Sequence, residues 1–171
     1  MNTEPERWAP TSDAHPERDA VLGSLTIPPN DNPTLLPEKP ALPAGLAITR
    51  RIRFPVHATG AAALQARSVA RPALQLILGA GEQAERLSRR IETCLAELVA
   101  LAYTVTTDDM LLCSVWTDRE HVFLSVEHED ALPQVPGDAT MGLSVVKTIA
   151  DDYGTHRTDN GHQTWAALRR A

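Results

Sequence analysis

Gly142, Thr164 and Glu97 are the residues whose types and surroundings can do chemistry. Gly142 opens the apolar pattern Leu143, Val146, Ile149, Ala150, Tyr153, which has the period of a helix. The unpaired N–H groups and the dipole of a helix start favour an anion. Thr164 and Trp165 belong to a closing strand that can line a floor beside that start. Glu97 lies at the margin of another apolar helical stripe, one turn before Leu101, where a carboxylate is ordinary surface or overhangs a pocket. Asp130 leaves a strand into a proline-containing loop, a usual place for a turn carboxylate. The chain has no G-x-S-x-G, no Walker lysine loop and no H-E-x-x-H. His15, His57, His121 and His156 read as scattered surface residues without metal-ligand spacing.

The elements that must position these residues follow from periodicity. Leu46 to Pro55 reads as a strand with Ile48, Ile52 and Phe54 on one face, and Arg50, Arg51 and Arg53 suggest a sheet edge or a solvent face. Thr59 can cap a helix to about Leu78, striped by Leu64, Val69, Leu74 and Ile77. Pro72 is expected to kink it or split it in two. Glu82 to Tyr103 is the clearest helix, with Leu87, Ile91, Cys94, Leu95, Leu98, Leu101 and Ala102 recurring every three or four residues. Leu111 to Trp116 and His121 to Glu129 read as a hairpin, in which Val122, Leu124, Val126 and His128 share one face. Asp130 to Thr140 is a loop, Gly154 a helix stop, and Thr155 to Arg157 with His162 to Leu168 a last hairpin about the turn TDNG. The expected fold class is α+β: a two-layer sandwich with a mostly antiparallel sheet, helices on one face and the other face exposed.

Residues 1–45 are a different material. They hold nine of the 13 prolines and predict an extended, largely disordered tail ahead of one domain over 46–171. Trp8, Val21, Leu22, Leu25 and Ile27 are its apolar handles, and the VLGSLTI stretch is a candidate for docking on the domain or on a partner. A net charge of −6 argues against a nucleic-acid surface. No apolar run approaches the roughly 20 residues of a membrane span. Cys94 and Cys113 fall in apolar segments and read as buried free thiols of a cytoplasmic protein.

One ordered set of segments matches a known pattern: Glu97-Leu98-Val99 on a helix, Asp130 to Pro133 after a strand, Gly142 to Val146 at a helix start, then D-D-Y-G and the closing G-H-Q-T-W-A-A-L. Over about Leu46 to the C-terminus this resembles the GHKL, or Bergerat-fold, ATP-binding domain. Its small regulators similar to anti-sigma-factor serine kinases of high-GC bacteria are the nearest in pattern. The resemblance implies that Glu97 takes the place of the glutamate that activates water or a substrate hydroxyl, acting as a general base. It implies that Asp130 accepts a hydrogen bond from the adenine amino group, that Thr164 supports that contact, and that Gly142 belongs to the phosphate-side loop.

The departures are equally specific. Leu101 stands where the family has the asparagine that holds Mg²⁺, and leucine offers no oxygen to an ion that requires a near-octahedral oxygen shell. Val105 replaces a frequent histidine, Thr140 replaces the companion glycine of Gly142, and DALP lacks the ring-side glycine. Phosphoryl transfer depends on metal and electrostatic positioning, so losing the metal ligand damages catalysis more than adenine recognition. The expectation is a regulator that works through contacts with a protein of the sigma-factor or anti-sigma-antagonist type, with weak or no binding of ATP and Mg²⁺. It is compatible with a homodimer. The alternative is an active ATP-dependent serine/threonine kinase with a divergent site, Glu97 being catalytic.

Overall fold

The computed structural model describes residues 36–39, 50–132 and 140–170. The expected boundary at residue 45, Ile48, the apolar handles of the tail and residues 133–139 of the loop lie outside them. In order the chain forms β1 (Arg50–His57), α1 (Ala62–Leu78), α2 (Glu82–Tyr103), β2 (Met110–Thr117), β3 (His121–His128), α3 (Thr140–Ile149), β4 (Asp152–Thr158) and β5 (Gly161–Arg169). The five strands make one sheet in the order β1-β2-β3-β5-β4, every neighbouring pair antiparallel. The fold is α+β, with three helices against a five-stranded sheet.

Helix α2 sits centrally. Its residues Leu87, Ile91, Cys94, Leu95, Leu98, Leu101 and Ala102 are all buried, as their spacing predicts, and Leu98 is fully so. The inward residues of β3, Val122, Leu124, Val126 and His128, are likewise buried. Both cysteines are free and buried, and loss of solvation pushes their thiols up to about 12, so they stay protonated and inert.

Helix α1 departs from expectation in two ways. It runs unbroken through Pro72, and no side chain caps its start: Thr59 Oγ1 accepts from the N–H of Ala61, just ahead of the helix. Its buried stripe is Ala62, Ala66, Ala70, Leu74 and Ile77, while Leu64 and Val69 are exposed. The packed face is thus small at Ala62, Ala66 and Ala70 and large at Leu74 and Ile77. Between α1 and α2 the buried Glu92 accepts hydrogen bonds from Arg71 Nη2 at 2.7 Å and from Ser88 Oγ at 3.3 Å.

Two further corrections concern the C-terminal third. Helix α3 starts at Thr140, which puts Gly142 inside its first turn rather than ahead of it. It stops at Ile149, and Gly154 is a buried residue within β4, not a helix stop. Nor is the second face of the sheet simply exposed. Trp116, Phe123, Trp165 and Ala167 form a buried cluster there, with Trp116 stacked on its cross-strand neighbour Phe123 at 5.4 Å between centroids and the Arg51 guanidinium 5.8 Å from the Trp116 ring.

Packing about α2 makes a graded expectation. Leu98→Ala should lower stability by about 2–5 kcal/mol, because the cavity cannot collapse between helix and sheet. Leu76→Ala, at a residue 78% exposed, should change it by less than about 0.5 kcal/mol. Urea denaturation of the two variants checks both.

Candidate functional site

Glu97 and Gly142 are brought together by α2 and α3. A Cβ built on residue 142 would lie 2.7 Å from Oε2 of Glu97, so the glycine makes room for the carboxylate. Glu97 is half-buried, at the rim of the helix interface. The expected general base and the expected phosphate-side glycine are therefore neighbours.

Thr164 is fully buried on β5, and its Oγ1 lies 2.7 Å from Nε2 of His128 on β3. The other ring nitrogen, Nδ1, lies 2.7 Å from the carbonyl oxygen of Asp130. A carbonyl only accepts, so Nδ1 carries the proton; in the neutral ring Nε2 then accepts from the Thr164 hydroxyl. Asp130 thus joins the network through its main chain. Its side chain is exposed and has no hydrogen-bond partner among the described residues. Burial pushes the His128 pKa down, against a raising hydrogen bond from the Asp130 main chain, and His162, stacked on it at 5.9 Å, pushes the same way as burial.

His128 is the organising residue that sequence reasoning placed on a face without giving it a role. The signal was available: a histidine in line with Val122, Leu124 and Val126 points inward, and an inward polar group needs a partner. Gly161, at φ 139°, closes the β4–β5 hairpin against the same spot, where a Cβ would meet the His128 carbonyl oxygen at 2.6 Å.

Leu36, Leu101 and Leu143 form an apolar cluster, with the half-buried Leu132 and Tyr153 packed on it. Leu101 is one turn beyond Glu97, Leu143 follows Gly142, and Leu132 is two residues past Asp130. The residues that neighbour the expected site residues in sequence thus contribute hydrocarbon contacts. Among the described residues no three His, Cys, Asp or Glu side chains gather as a metal site.

Two described cavities lie elsewhere. One of about 170 Å³ is lined by Arg71, Ser88 and Glu92; the other, of about 510 Å³, by Arg86, Arg90, Asp151, Arg169 and Arg170. Neither is lined by Glu97, Asp130, Gly142 or Thr164. No helix among the described residues is long and apolar enough to cross a membrane. No protein-family model and no curated protein matches the chain.

The lowered His128 pKa ties stability to pH. As pH falls below about 6.5 the unfolded imidazole takes up a proton while the folded one resists, so the unfolded state binds more protons and stability drops. The slope for one proton is at most about 1.4 kcal/mol per pH unit. Glu92 and Glu129, lowered from 4.5 by the Arg71 and Thr107 hydrogen bonds respectively, add their losses only below that value. Urea midpoints measured from pH 7.5 to 5 should therefore fall for the wild type and fall less for His128→Gln.

Proposed function

We propose that this protein is a cytoplasmic regulator built on a degenerate GHKL-like nucleotide domain, of the kind found in anti-sigma-factor serine kinases. It acts by holding a protein partner of the sigma-factor or anti-sigma-antagonist type, and binds ATP and Mg²⁺ weakly or not at all. The observation that carries this reading is the packing of Leu101 with Leu36 and Leu143. A triphosphate and its metal brought there would lose hydration without gaining oxygen ligands or donors, which is costly for every charge involved. The Thr164 hydroxyl, expected to support an adenine contact, is already committed to His128. The two buried thiols suit a reducing compartment.

The juxtaposition of Glu97 and Gly142 favours the second reading, an active ATP-dependent serine/threonine kinase, because it keeps a carboxylate beside a helix start. Calorimetry with ATP, with and without Mg²⁺, separates the two. The expected result is no Mg²⁺-dependent gain in affinity, and no phosphate transfer from labelled ATP to anti-sigma-antagonist-like proteins above that of Glu97→Ala. Tight Mg²⁺-dependent binding, with transfer abolished by Glu97→Ala, would establish the kinase instead.

A further inference from the structure

Strand β4 is an edge of the sheet, and its outer side is occupied by the chain's own residues 36–39. The N–H of Thr155 donates to the Pro37 carbonyl at 2.9 Å, and the N–H of Lys39 donates to the Thr155 carbonyl at 2.8 Å, making a parallel bridge at Glu38. Leu36, 8% exposed, fills the pocket made by Leu101, Leu143, Leu132 and Tyr153. Three residues on, the Lys39 ammonium pairs with Asp152 and lies 5.5 Å from the centre of the Trp165 ring, while Trp165 Nε1 donates to the Lys39 carbonyl at 2.9 Å. Gly154 makes the approach feasible: a Cβ there would sit 2.8 Å from the Pro37 oxygen and 3.0 Å from Lys39 Cγ.

We propose that the β4 edge is a strand-addition groove for an extended peptide with a large aliphatic residue at one position and a basic residue three positions later. Residues 36–39 are its resident occupant in cis, and a protein partner that carries such a segment displaces them. Main-chain hydrogen bonds at Thr155 accept any extended backbone. Selectivity comes from the leucine-lined pocket at one end and from Asp152 with the Trp165 ring at the other. The resident segment is suited to exchange. Prolines at 37 and 40 have no N–H to donate, so its pairing stays short. Only residues 40–49 tether it to β1, which gives an effective concentration on the order of millimolar against an incoming competitor. The groove is defined by contacts within this chain and stands or falls independently of the nucleotide-domain reading.

The probe is a fluorescent peptide of residues 33–42, PTLLPEKPAL, titrated by anisotropy into the full-length chain as wild type, Leu36→Asp and Gly154→Ala. Leu36→Asp removes the cis competitor and should bind the peptide at least about tenfold more tightly than wild type. Gly154→Ala also releases the segment but narrows the groove itself, so it should not gain affinity. Lys39→Glu, which sets two carboxylates against each other at Asp152, is a second release variant should Leu36→Asp fail to fold. Faster hydrogen exchange at the Thr155 amide reports release in each case. Equal binding to all the variants, or Gly154→Ala binding as tightly as the release variants, overturns the proposal. So does an unchanged Thr155 amide in both release variants, because Leu36 and Lys39 would then not be what holds the segment.

Discussion

The packing of α2 against its neighbours is the constraint from which most of this structure follows. One helix meets α1, α3 and the sheet, so a broad face of it is buried. Its apolar positions are correspondingly dense from Leu87 to Ala102. Burying each large aliphatic side chain is worth roughly 1.5–3 kcal/mol relative to exposure, and no other element concentrates as many of them. The neighbours adapt to that helix. Helix α1 offers it alanines and β3 a row of valine and leucine, while α3 sets Gly142 against the Glu97 carboxylate.

Two titratable groups drawn into this interior, Glu92 and His128, are paired, and the pairing tells what each is for. Glu92 is buried but receives the Arg71 guanidinium and the Ser88 hydroxyl, which keeps it ionised and joins α1 to α2. His128 is buried and neutral, with both nitrogens used, and it ties β3 to β5 and to the start of the following loop. Either group left without its partner would be an unsatisfied polar group in a low-dielectric interior. His128 takes the Thr164 hydroxyl for itself, so the most buried hydroxyl of the candidate site serves the fold.

The same competition between fold and ligand recurs at Leu101. It packs with Leu36 and Leu143, and Leu36 arrives there from a proline-rich segment far away in sequence. Edge strands expose unpaired main-chain groups that proteins cover or blunt. Here residues 36–39 cover the outer edge of β4 at Thr155, with Lys39 supplying the charged end of the contact. Leu36, Leu101 and Leu143 thus form an apolar contact next to the covered edge of β4.

What the sequence by itself determined is whatever depends on near neighbours. The period of three to four residues in Glu82–Tyr103 and the alternation in His121–His128 reproduce the observed α2 and β3 and their buried faces. The arginines of Arg50–His57 are compatible with the edge strand they occupy, and the apolar setting of Cys94 and Cys113 marks buried thiols. The tertiary structure alone decided the rest. An alanine stripe looks weaker than Leu64 and Val69 until the fold is seen to bury it and leave them outside. Gly154 reads as a helix stop until Pro37 and Lys39 are seen to need its missing Cβ. His128 has no visible partner until β5 is placed alongside, and Leu36 none until β4, α2 and α3 are. Periodicity is written in residues a few positions apart, whereas these contacts join residues tens of positions apart that only the folded chain brings within bonding distance.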